Sequence, residues 1–172
     1  WDGEVVELSE VQAGRGGFAI RGISAGDVSG RRSISGAGDV NGDGLADVLV
    51  GAPGADPGGK QNAGETYVVF GKRDGASVEL SEVLAGRGGF GIRGADADPE
   101  GAAVFVSAWT VSGAGDVNGD GLADIVICAP LRNNEGRAGA QKSYVVLGKK
   151  DGAVVELADV GAGRGGFAIQ SS

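Results

Sequence analysis

Ser35-Gly36-Ala37-Gly38-Asp39-Val40-Asn41-Gly42-Asp43-Gly44-Leu45-Ala46-Asp47 recurs without a change at Ser112–Asp124. Each copy runs directly into an apolar stretch, Asp47–Ala52 ended by Pro53 and Asp124–Ala129 ended by Pro130. Each is preceded by a short run of small and β-branched residues, Ser33–Ala37 and Thr110–Ala114. Continuous apolar runs bounded by Gly and Pro predict strands buried on both faces. The Asp/Asn/Gly-rich stretch is then the connection between two strands.

Further repeats extend the pattern to the whole chain, and fixed-period self-similarity marks a repeat architecture. Ala-Gly-Arg-Gly-Gly-Phe stands at Ala13–Phe18, Ala85–Phe90 and Ala162–Phe167, and an Asp-Gly pair opens each unit at Asp2, Asp74 and Asp151. The units are therefore 2–73, 74–150 and a partial third, 151–172. The second is longer, and the extra length falls between Gly94 and Ser112, around Val104-Phe105-Val106. Each full unit carries four strand-like pieces: Phe18–Ile20, Ser33–Ala37, Asp47–Ala52 and Thr66–Phe70 in the first, Phe90–Ile92, Thr110–Ala114, Asp124–Ala129 and Ser143–Leu147 in the second. Leu80–Leu84 and its copies are long enough for one helical turn only. Four short strands per repeating unit predict an all-β chain of β-propeller blades, four-stranded antiparallel sheets, with two full blades and a partial third unit.

The duplicated loop is also where the chemistry lies. It sets oxygen side chains at alternate positions, Asp39, Asn41, Asp43 and Asp47 in one copy and Asp116, Asn118, Asp120 and Asp124 in the other. A hard cation such as Ca2+ takes six to eight oxygens at about 2.3–2.6 Å, and a tight loop turns alternate residues toward one centre. Gly44 and Gly121 permit the bend that returns the last acid, and Leu45 and Leu122 offer a backbone carbonyl with the side chain in the core. Three carboxylates brought together without a cation repel one another. An EF-hand would need a bidentate Glu at the twelfth position, which here is Val50 or Ile127 inside an apolar run. The expectation is about two Ca2+ per chain, against the plainer reading of a metal-free turn.

Composition narrows the function further. The chain of 172 residues has 36 Gly, 4 Pro, one Cys and no His. The lack of His removes the commonest general base and the commonest zinc ligand. The single Cys128, in an apolar run, reads as a buried inert thiol. A net charge of −8 disfavours nucleic acid and anionic membrane as partners. No apolar run has the length of a transmembrane helix, and a chain starting at Trp1 reads as a mature or excised segment. Arg15, Arg87 and Arg164 lie in glycine loops that suit either an anion cradle or an ordinary surface turn. Asp27, Asp96 and Asp98, before the first strand, read as ligand-facing or solvated acids. The purpose of the basic pair Arg31-Arg32 is not legible.

Gly-Ala-Gly-Asp-Val-Asn-Gly-Asp-Gly with Ala-Asp-Val-Leu-Val-Gly-Ala-Pro resembles the FG-GAP repeat of integrin α-chain propellers, and more closely that of bacterial extracellular proteins. The Phe-Gly pairs Phe70-Gly71 and Phe90-Gly91 and the Gly51-Ala52-Pro53 element fit it; Cys128-Ala129-Pro130 departs from it. The resemblance implies calcium held between the first two strands of each blade, a secreted or cell-surface location, and a non-catalytic module for adhesion or for binding a protein or glycan. It also implies that one blade is completed by a strand from the far end of the chain, a place that either Phe167–Ile169 or the equivalent Phe18–Ile20 would fill. Two blades do not close a propeller, so either the remaining blades of a larger parent chain or a homo-oligomer is expected to complete it. Two other readings stand beside this one: a propeller scaffold in a secreted polysaccharide-active enzyme, and a structural spacer of a long surface protein.

Overall fold

The structure is a computed structural model that describes residues 6–31, 33–95, 110–129 and 142–170. The elements in chain order are α1 (Leu8–Gln12), β1 (Ile20–Arg21), β2 (Ile34–Gly38), β3 (Asp47–Ala52), β4 (Glu65–Val69), β5 (Val78–Glu79), α2 (Leu80–Leu84) and β6 (Gly89–Arg93). There follow β7 (Thr110–Gly115), β8 (Asp124–Ala129), β9 (Lys142–Val146), β10 (Val155–Glu156), α3 (Leu157–Gly161) and β11 (Gly166–Gln170). The predicted apolar runs Asp47–Ala52 and Asp124–Ala129 are strands with those bounds, and the Leu80 stretch and its copies are the single helical turns. Asp96, Asp98, the Val104–Val106 patch, Arg32 and Pro130 lie outside the described residues.

Two antiparallel meanders dominate. The first blade pairs β2-β3-β4-β6 and the second β7-β8-β9-β11. These are the four-stranded sheets of propeller blades. A register shift after Gly36, and again after Gly113, bends β2 and β7 just before the duplicated loop.

The sheets are out of phase with the sequence units 2–73, 74–150 and 151–172. Each blade takes its first three strands from one unit and its outer strand from the start of the next, so β6 of the second unit pairs with β4 of the first. The third unit accordingly supplies β11, with Phe167 opposite Val145 on β9. The cause is that strand pairing is chosen by packing between segments distant in sequence, whereas a repeat can be cut at any point of its period.

Between the outer strand and the strand before it, the chain makes a brief excursion. The two-residue strand β10 lies parallel on β6 of the preceding blade, Val155 beside Ile92 and Glu156 beside Arg93. In the same way β5 lies parallel on β1, Val78 beside Ile20 and Glu79 beside Arg21. These straps bind neighbouring units, and a core fills the space between the two blades. Leu49, Val68, Phe90 and Ile92 from the first blade meet Ile125, Ile127, Tyr144, Val146, Leu157 and Val160 from the second. The other face of the first blade, with Tyr67, Val69, Leu80 and Val83, is closed by Phe18 and Ile20 of the N-terminal segment. Where β2 lies against β7, Val111 N–H donates to the buried Ser33 Oγ at 2.8 Å.

Candidate metal loops

Each candidate loop joins the first two strands of its blade: residues 39–46 link β2 to β3, and residues 116–123 link β7 to β8. Gly42 and Gly44 have φ of 77° and 83°, and Gly119 and Gly121 have 78° and 87°. A side chain at these left-handed positions would be strained, so the glycines set the turn that points successive acids the same way.

Within the first loop, Asp39 Oδ1 accepts from Gly42 N–H at 2.7 Å and Asp43 N–H at 3.0 Å, while Oδ2 accepts from Gly44 N–H at 2.8 Å. Asn41 Oδ1 accepts from Asp43 N–H at 2.9 Å, and its amide donates to Asp43 Oδ2 at 2.9 Å. Asp43 Oδ1 accepts from Leu45 N–H at 2.8 Å. The second loop repeats the whole set through Asp116, Asn118 and Asp120. The Asn118 side-chain amide, followed by the Leu122 N–H, holds the Asp120 carboxyl below its ordinary range.

The last acid of each series behaves differently. Asp47 and Asp124 are buried beneath the loops. Asp47 Oδ2 accepts from Val40 N–H at 2.8 Å and Oδ1 from Gly71 N–H at 2.7 Å. Asp124 does the same with Val117 and Gly148, both at 2.8 Å. Burial pushes the Asp47 carboxyl up; the two amide bonds oppose this, and the nearby charges of Asp43 and Asp39 add to it. Asp47 thus pins the loop to the end of the third strand, a role the sequence did not disclose. Its signal was the glycine of the Phe-Gly pair. A Cβ on Gly71 would stand 2.5 Å from the Ala46 carbonyl oxygen, so only glycine brings its N–H up to Asp47.

The structure therefore brings Asp39, Asn41 and Asp43 together by direct hydrogen bonds and keeps Asp47 close behind them. Among the described residues, no three acidic or cysteine side chains converge in the manner of a metal cage, because the loop acids are turned onto the loop's own N–H groups. The donor chemistry nonetheless fits a hard cation: every functional side chain is an oxygen donor, and carboxylate oxygens bound to a single N–H retain a lone pair. Leu45 and Leu122 are half-buried rather than in the core. Leu122 instead covers Gly42 of the neighbouring loop, and Ala123 N–H donates to the Asp39 carbonyl at 2.9 Å. The two loops consequently lie side by side on one rim of the blade pair.

The remaining candidates are local. Arg15, Arg87 and Arg164 pair with Glu10, Glu82 and Asp159 of the preceding helical turns, so each guanidinium already carries a carboxylate partner. Asp27 accepts from Ser24 N–H at 3.1 Å and closes a turn. Cys128 is half-buried rather than fully buried, with Sγ 3.6 Å from Ser143 Oγ, because it lies on a sheet face that no other blade covers among the described residues.

The FG-GAP repeat family model matches residues 32–69 and 107–146, and each span contains one of the two loops. The chain thus carries two FG-GAP repeats. It is 37% identical over 98 residues to integrin alpha pat-2 of Caenorhabditis briggsae, an alignment that takes in 56% of this chain and 7% of the length of that protein.

Proposed function

We propose that this chain, bearing two FG-GAP repeats on consecutive propeller blades, is a non-catalytic binding module of an adhesion-type propeller outside the cell, and that its two rim loops hold calcium. The observation that carries this reading is the exact duplication of the loop, in sequence and in hydrogen bonding, at equivalent places on adjoining blades. A turn needed only to connect strands has no reason to repeat three acids and an amide in one order. The similarity to an integrin α chain supports the adhesive role, and millimolar extracellular calcium suits loops of this exposure.

Asp39, Asn41 and Asp43, with Asp47 and the Leu45 carbonyl, would hold one ion. Asp116, Asn118, Asp120, Asp124 and the Leu122 carbonyl would hold the other. The ion would neutralise acids that otherwise repel one another on an already anionic chain. Its function is structural: it stiffens the rim, and so fixes the loops that present a protein or glycan ligand. The test is thermal unfolding followed in calcium, in magnesium and in EDTA. A ligand bound only by the folded state at 100 times its Kd adds about 2.7 kcal/mol. Tm should rise by several degrees in millimolar calcium and fall in EDTA; an unmoved Tm would reject bound calcium and leave the loops as self-satisfied turns.

A further inference from the structure

The first loop is not shaped by its own blade alone. Its turn glycine, Gly42, is covered from the second blade. A Cβ on Gly42 would stand 2.9 Å from Leu122 Cδ2, 3.4 Å from Lys150 Cε and 3.7 Å from Lys150 Nζ. Gly42 N–H donates to Asp39 Oδ1 at 2.7 Å, so whatever holds Gly42 also holds that carboxylate. Asp39 is gripped from the second blade at its other end too, since its carbonyl accepts from Ala123 N–H at 2.9 Å. The next residue, Val40, is buried in the core between the blades, and its carbonyl oxygen lies 3.0 Å from where a Cβ on Gly148 would stand. Gly148 in turn gives its N–H to Asp124. The acid that pins the second loop and the backbone of the first therefore meet at one glycine.

Two side chains of the second blade bear on Asp39 in different ways. Leu122 acts by shape. It is half-buried and fills the space over the Gly42 turn, where a glycine's freedom would otherwise let the turn open and release Asp39. A ligand already held in place loses less entropy when an ion arrives. Lys150 acts by charge. Its neighbour Lys149 is tied to Asp151 and to the Ala153 carbonyl, whereas Lys150 extends to the first loop and stays exposed. An ammonium there attracts the loop acids and repels a divalent cation among them.

We infer that the first loop is a two-blade site, in which Leu122 positions Asp39 for a divalent cation and Lys150 weakens the binding of that cation. The inference rests on the reading of these loops as calcium sites, and it adds what sets the affinity of one of them. The two side chains have opposite signs of effect. Removing the Leu122 side chain, whose backbone carbonyl stays, frees the turn. Removing the Lys150 charge relieves a repulsion, and salt screens only this second effect.

The test titrates the full chain with calcium and follows single amides by NMR. Gly44 N–H, bonded to Asp39, reports the first loop, and Gly121 N–H, bonded to Asp116, reports the second. Lys150→Gln should move the Gly44 midpoint to roughly two- to fivefold lower calcium at low salt and leave Gly121 in place. That gain should fade in about 1 M salt, where the Debye length is about 3 Å. Leu122→Ala should raise the Gly44 midpoint at least roughly threefold at either salt concentration, and should speed exchange of the Gly42 amide in EDTA. If both amides titrate but Gly44 ignores the two substitutions, or both move it the same way, the two-blade site is overturned while the calcium reading stands. If neither amide of the wild type responds to calcium, the calcium reading falls and takes this inference with it. Should Leu122→Ala not fold, the exposed Lys150→Gln decides alone, and an unmoved Gly44 midpoint overturns the inference.

Discussion

The two blades share one plan, yet the same residue has opposite surroundings in each. Phe90 and Ile92 on β6 are sealed by the second blade; Phe167 and Ile169, at the same places on β11, face solvent. Val40 at the first loop is buried, while Val117 at the second is half exposed. The difference teaches that burial in this fold belongs to the stack and not to the blade. A single four-stranded sheet has two apolar faces and closes neither by itself. The first blade is closed on one side by its neighbour and on the other by two side chains of the N-terminal segment, and among the described residues the second has one such partner.

The comparison can be broken most directly by deleting one aromatic ring from each blade. Phe90→Ala should cost about 3–5 kcal/mol, as for a fully buried ring, and Phe167→Ala under about 1.5 kcal/mol. Urea unfolding of both variants measures the gap, and equal losses would show that the tail face is covered in solution. Next in size is the pinning acid. Asp47→Asn turns one acceptor into an N–H group facing a backbone N–H, so it should cost about 1–3 kcal/mol even in EDTA, with Asp124→Asn alike. An effect seen only in calcium would show that Asp47 acts as a ligand alone and not as a pin. Gly152→Ala should also lose about 1–3 kcal/mol, since its Cβ would collide with the Gly86 backbone. Gly163→Ala, at φ 82° but in open space, should lose about 1 kcal/mol, and chemical denaturation again ranks the pair. Smallest is Arg15→Ala, which breaks an exposed, solvent-screened pair with Glu10 and should leave the urea midpoint where it is in the wild type.

Much of this was legible because local and repeated signals agree. Asp47–Ala52 and Asp124–Ala129 are strands for the reason their apolar runs suggest, and the Asp/Asn/Gly stretch connects them as its composition demands. The phase of the blades was hidden, because the pairing of β6 with β4 is decided by contacts between successive units. The straps were hidden as well: Val78-Glu79 and Val155-Glu156 are too short to carry a periodic pattern, and each is held on a strand of another unit. Within the site, the spacing of Asp39, Asn41 and Asp43 placed them in one strand-connecting loop, but the inward turn of Asp47 depends on Gly71, far along the chain. Leu45 missed the core for a similar reason, since it packs beside Gly71 at the end of β4.

Calcium titration by calorimetry of the wild-type chain, beside Asp43→Ala and Asp120→Ala, tests the central claim most directly. Two equivalent loops predict about two ions bound by the wild type and about one by each variant, with the sheets intact by circular dichroism. No heat of binding at millimolar calcium, or a stoichiometry that neither variant alters, would contradict the account.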